Sequence, residues 1–176
     1  MSRIVLNKHN HIATLTLNQP EQRNSISEIE MVEEFIEGLK QVNEDSQLRC
    51  LIITGAGSAF SSGGNIKHML NKEGMFSGEA NDIRENYAKV IQRIPQALHN
   101  INIPTIAAVN GPAFGAGCDL AMYCDMRIAS HKASFAESFI KVGLIPGDGG
   151  AWILPRIAGF GRAAEMAFTG DAISAQ

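Results

Sequence analysis

Two short apolar runs, CLIIT at Cys50 to Thr54 and IPTIAAV at Ile103 to Val109, end directly in glycine-rich turns, GAG and NGPAFGAG. A strand apolar at nearly every position has to be covered on both faces, which places it inside a parallel sheet with helices above and below. The surrounding pattern agrees. Ile12 to Leu17 (IATLTL) alternates and is rich in β-branched residues; with Ile4 to Leu6 it predicts an opening hairpin. After the turn cluster NQPEQRNS, apolar residues recur at helical spacing from Ser27 to Asn43, and Ser27 with Glu30 forms an S-x-x-E capping box.

A second helical stretch carries Ile83, Tyr87, Val90, Ile91, Ile94 and Leu98, with Pro95 expected to kink or break it. CDLAMYC is short enough for one or two helical turns. Short strands are predicted at Arg127 to Ala129 and Ala133 to Phe135, and helices at Ala151 to Ile157 and Gly161 to Thr169, with Pro155 bending or ending the first. Strand, helix and strand alternate throughout, so the fold class is α/β with a mostly parallel sheet.

The 176 residues, 45% of them hydrophobic, suit one domain, 1–176, with a core that needs no disulfide or metal. The net charge of -3 gives no general attraction to nucleic acid or an anionic membrane. Cys50, Cys118 and Cys124 form no C-x-x-C pair and read as buried apolar fillers in a reducing compartment. The first residues lack the apolar run of a secretory signal and no stretch is long enough to span a bilayer, so the expected location is cytoplasmic.

Chemistry is expected at the two strand-to-loop junctions, where Ser61-Ser62-Gly63-Gly64 and Gly115-Ala116-Gly117 are rich in backbone and poor in side chains. Such loops turn main-chain N–H groups toward a cavity, and a helix starting near Cys118 adds its positive end, an arrangement suited to an oxyanion. Considered alone, either loop also reads as an ordinary tight turn. The G-x-x-x-G-x-G spacing from Gly111 to Gly117 has a dinucleotide-binding reading as well. Pro112, the absence of an acidic residue some way downstream for a ribose, and the lack of a Tyr–Lys pair around Tyr87 or Tyr123 all argue against it.

Asp119, just after the second loop, and Asp148, between two glycines, are candidate general acids or bases; a helix cap and a turn former are the alternatives. The five histidines show no metal-ligand spacing, and Ser61 and Ser62 lie in no nucleophile elbow.

ITGAGSAFSSGGNIK, IPTIAAVNGPAFGAGCDLAMYCDMRIAS and VGLIPGDGGAWILPRIAGFGRAAEMAFTGD, together with LNQPEQRNSIS, resemble the crotonase superfamily of enoyl-CoA hydratases and isomerases, in the family's order and over nearly the whole chain. The resemblance implies a spiral of ββα units, with the family's C-terminal helical region absent from this chain. It implies that the N–H groups of Gly64 and Ala116 polarise the thioester carbonyl of an acyl-CoA, and that coenzyme A enters as part of the substrate without a further cofactor. The backbone at Ala59, Ser61 and Ile66 would hold the adenine end, with Arg23 or Lys67 near the phosphates. Homotrimers or hexamers are implied, with no nucleic-acid or membrane partner and no metal.

Family hydratases use two glutamates. The first falls on Asp119 and the second on Phe139, which exchanges no proton, so hydration is in doubt and Asp148 becomes a second candidate. Asn65 replaces a frequent aspartate. The leading expectation is an enzyme moving water or a proton at the α,β-position of a thioester; the alternative is an acyl-CoA-binding or partner-binding relative without efficient turnover.

Overall fold

The computed structural model describes residues 2–176. The hairpin forms from β1 (Ile4–His9) and β2 (Ile12–Leu17). Ala13, Leu15 and Leu17 face the core, as the alternation requires. The apolar runs become β3 (Cys50–Gly55) and β4 (Thr105–Val109), which pair in parallel, and β4 pairs in parallel with β6 (Met126–Ala129). The five-stranded sheet runs β1-β2-β3-β4-β6, antiparallel only at the hairpin. A second, three-stranded sheet joins β5 (Ala113–Phe114), β7 (Ser134–Ala136) and β8 (Ile173–Ser174) in the order β5-β7-β8. Neither β5 nor β8 has a sequence signal, because two residues carry no periodicity.

Helix α1 (Ile29–Glu44) buries Met31, Val32, Phe35, Leu39 and Val42. Its start departs from the expected capping box. The N-cap is Glu28 without a side-chain bond, and the hydroxyl of Ser27 instead accepts from Asn65 N at 2.9 Å. Ser27 is buried against the first glycine loop, so a tertiary donor takes the oxygen that a free helix end would have used. Ile29 in turn is exposed.

Helix α2 (Ile66–Asn71) follows that loop, and the Asn65 side chain caps it by accepting from Lys67 N and His68 N. The long second helical stretch divides into α3 (Ala80–Lys89) and α4 (Arg93–His99). The break falls before Pro95, which sits in the first turn of α4, where a missing N–H leaves no helical bond unmade. α5 (Ala116–Tyr123), α6 (Gly150–Ala158) and α7 (Phe160–Thr169) complete the chain. α6 continues past Pro155 for three more residues and so is not ended by it.

Cys118 and Cys124 are buried as expected, whereas Cys50 is half-buried at the start of β3. No helix among the described residues is long and apolar enough to cross a membrane.

Candidate active site

The loops after β3 and β4 lie against each other. Phe114 N donates to Ser61 O at 3.0 Å, and Phe60 N to Pro112 O at 3.0 Å. Asn24, fully buried and in the left-handed region, accepts from Gln19 N and donates its amide to the carbonyls of Ala56, Ala59 and Phe60. One side chain thus fixes three carbonyls of the first loop.

Gly63 has φ +75, and a Cβ there would lie 2.5 Å from Phe114 O and 2.9 Å from Ala116 N. Only a glycine allows the loops to come this close. The contact sets Gly64 beside the first residue of α5.

Among the described residues neither Gly64 N–H nor Ala116 N–H donates to another protein group, and both residues line a cleft of about 680 Å³. Ala116 is also the N1 position of α5, where the helix dipole is positive. Two unpaired donors at one cleft can take a carbonyl oxygen on which negative charge develops. The dinucleotide reading of Gly111 to Gly117 fails here. A Cβ at Gly111 would meet Ser58 O and one at Gly117 would meet Ser61 O, so these glycines serve loop-to-loop packing.

Of the residues expected near coenzyme A, Arg23, Ile66 and Lys67 line the cleft; Ala59 and Ser61 do not. Ala59 is buried with its carbonyl taken by Asn24 and Asn110, and Ser61 is fully buried, its hydroxyl donating to Asn24 O and accepting from Gly63 N. Phe139 also lines the cleft, and a Cβ at Gly115 would lie 3.6 Å from its ring.

Asp119 and Asp148 come together behind Ala116. They share a pocket of about 10 Å³, room for a single water at most, with Ala116 common to this pocket and the cleft. Asp119 therefore lines this small pocket and not the open cleft. A Cβ at Gly150 would collide with its carboxylate, and Asp148 is turned inward by the Gly147–Gly149 turn, which Gln92 and Tyr123 hold by donating to the Gly147 and Gly149 carbonyls.

A third acid belongs to this group. Glu137, at the end of β7, is fully buried and contacts Asp119 and the Cys118 thiol. A lone glutamate after a short strand carries no spacing signal, so nothing in the sequence singles out position 137 as the resemblance does 139.

None of the six carboxylate oxygens has a conventional donor, so contacts among these acids need protons carried by the acids themselves. Burial, then the charges of Asp148 and Glu137, pushes the Asp119 carboxyl well above its usual range. Burial raises Glu137 and Asp148 too. A carboxyl held neutral beside unpaired N–H donors has the chemistry of an acid–base site. No group of three or more His, Cys, Asp or Glu among the described residues is placed to hold a metal ion.

A family model described as enoyl-CoA hydratase/isomerase matches residues 7–176. The chain belongs to that family. It is 41% identical over 165 residues to 1,2-epoxyphenylacetyl-CoA isomerase of Escherichia coli, covering 94% of this chain and 62% of the relative. It is 38% identical over 169 residues to the mitochondrial enoyl-CoA hydratase of Pongo abelii, covering 96% and 55%.

The crystal structure of an enoyl-CoA hydratase from Bacillus anthracis superposes with a TM-score of 0.89 at 35% identity, covering 99% of this chain and 65% of that one. The mixed α/β architecture is thus the crotonase fold that the motifs imply. The chain spans between 55% and 65% of the length of these relatives.

Proposed function

We propose that the protein binds acyl-CoA thioesters and moves a proton at the α,β-position of the acyl group, shifting a double bond in preference to adding water. The observation that carries this reading is the pair of unpaired N–H groups, Gly64 and Ala116, at one cleft with buried carboxyls immediately behind. The thioester oxygen accepts from both donors. Charge that collects on it as an α-proton leaves meets fixed dipoles that need no reorganisation.

Asp119 and Asp148 exchange the proton. A bond shift needs only a group that removes a proton from one carbon and returns one to another. Hydration also needs a carboxylate to hold and activate water, and at the position the resemblance gives for it, Phe139 presents an apolar ring. The relatives' names include both isomerases and hydratases, which supports the reaction class without deciding between its members.

Coenzyme A enters as part of the substrate, its phosphates near Arg23 and Lys67, with no separate cofactor. Assembly as a homotrimer or hexamer is part of the proposal, supported by the uncovered side chains of Ile145, Phe160 and Phe168. A cytoplasmic location is kept with it.

The test is a panel of 2-enoyl-, 3-enoyl- and dienoyl-CoA substrates, with acetoacetyl-CoA as a binding probe. Binding of the probe should raise Tm, and isomerisation should outrun hydration. No shift in Tm at saturating acetoacetyl-CoA, together with no turnover on the panel, refutes the reading.

A further inference from the structure

Glu137 is the one acid of the buried group that neither the family's two-glutamate pattern nor the proposed proton exchange uses. It is fully buried, and among the described residues no lysine, arginine or histidine pairs with it, with Asp119 or with Asp148. Asp119 is the middle member, touching Glu137 on one side and Asp148 on the other. The other titratable groups facing the three acids are the Cys118 thiol and Tyr123 from α5 and Tyr87 from α3. Burial and the neighbouring acids raise all three, Tyr87 up to about 12, so each is neutral at pH 7 and none supplies a positive charge.

Metal binding is not the purpose of the cluster, since no metal-holding arrangement is present among the described residues. Nor does Glu137 line the cleft, although its neighbours Ala136 and Ser138 do. A buried carboxyl with no donor is costly, and the proton on an adjacent acid is the only conventional hydrogen-bond donor left apart from a thiol.

We propose that Glu137 is a positioning residue for Asp119: lodged behind it with no cation to neutralise it, Glu137 keeps the Asp119 carboxyl in its neutral, proton-donating form. The proposal rests on the acyl-CoA reading and assigns the acid within that site. In the step it serves, the O–H bond of Asp119 breaks as a C–H bond forms at an acyl carbon, the electron pair coming from the enolate. The enolate forms when the Asp148 carboxylate takes the proton from the other acyl carbon; after Asp119 has donated and is left ionised, that proton passes from Asp148 to Asp119 and restores both acids. No further reactant is required. Glu137 acts through Asp119 and does not touch substrate. Asp119 is thereby kept neutral at a pH where an ordinary aspartate is ionised, and the first hydratase glutamate can be replaced by a shorter acid without losing the donor.

The experiment compares parent, Glu137→Gln and Glu137→Asp by ¹³C NMR titration of the side-chain carboxyls, with Asp119→Asn to assign Asp119, and by the pH profile of turnover. Removing the like charge should move the Asp119 midpoint to lower pH in Glu137→Gln. The alkaline limb of kcat should move down with it and KM should stay within twofold, whereas Glu137→Asp should remain near the parent. A structural role alone would lower activity at every pH and leave the limb in place.

An unchanged Asp119 midpoint in folded Glu137→Gln overturns the proposal. If that variant does not fold, the parent decides. Coupled two-step titration of Glu137 and Asp119 supports the chain, and two independent single steps overturn it. The titrations need no substrate, so absence of turnover on every thioester defeats the acyl-CoA reading while the midpoints still report on the chain.

Discussion

Ala116→Pro isolates one hydrogen-bond donor. Ala116 is the N1 residue of α5, and its N–H makes no bond within the described protein. N1 is the helix position where proline is best tolerated, so the substitution deletes a donor without breaking a helical bond. If that N–H polarises a thioester oxygen, its loss removes an interaction that strengthens as charge develops. Loss of one such donor costs about 10²–10³ in kcat, or roughly 2.7–4 kcal/mol of transition-state stabilisation.

The effect should fall on kcat more than on KM, because the ground-state carbonyl accepts a weaker bond than the enolate. Ala116→Gly keeps the N–H and should stay within a few-fold of the parent. The assay is steady-state isomerisation of a 3-enoyl-CoA, with a circular-dichroism melt to verify folding. Crowding of the proline ring against Gly63 would show as a lowered Tm. A folded Ala116→Pro protein that retains parental kcat refutes the argument.

Asp119→Asn should lower turnover by about 10²–10⁴. It should also flatten the pH dependence of stability. The folded Asp119 carboxyl holds its proton above the ordinary value of 3.8, so its contribution is fully present below that value and is lost as pH rises toward the folded one. The parent's Tm should therefore drop more steeply than the variant's as pH rises above the ordinary carboxylate value of 3.8; parallel curves count against the buried-acid account. Asn24→Ala removes the amide donor of the Ala56 and Phe60 carbonyls and leaves Ala59 only the bond from Asn110, and should destabilise by about 2–4 kcal/mol in urea unfolding; a loss under about 1 kcal/mol contradicts the role given to Asn24. Phe139→Glu should raise crotonyl-CoA hydration at least tenfold, about 1.4 kcal/mol, unless the parent already hydrates efficiently.

The sheet and the two glycine loops were legible in the chain because their causes are local. Cys50 to Thr54 and Ile103 to Val109 are apolar at every position but Thr54 and Thr105, and Gly63 answers a backbone requirement that no other residue meets. Asp119 and Asp148 were legible as candidates because each stands in or beside a glycine turn.

Other features were decided only when distant segments met. Ser27 and Glu30 satisfy a local capping rule, yet Asn65 of the first loop takes the Ser27 hydroxyl, since a buried oxygen bonds whichever donor the packing brings. The Ala59 carbonyl is taken by Asn24 and Asn110, and the Ser61 hydroxyl bonds Asn24 O and Gly63 N, pairings that no local pattern sets. Glu137 is the clearest case. Nothing near it in the chain distinguishes it from a solvated acid, and its role follows from where β7 ends. The strand stops at Ala136 and a 3-10 turn begins at Ser138, which leaves the Glu137 side chain buried against Cys118 and Asp119 of α5 while Phe139 faces the cleft. Acidity in the interior depends on burial and on neighbouring charge, and both are properties of the folded chain.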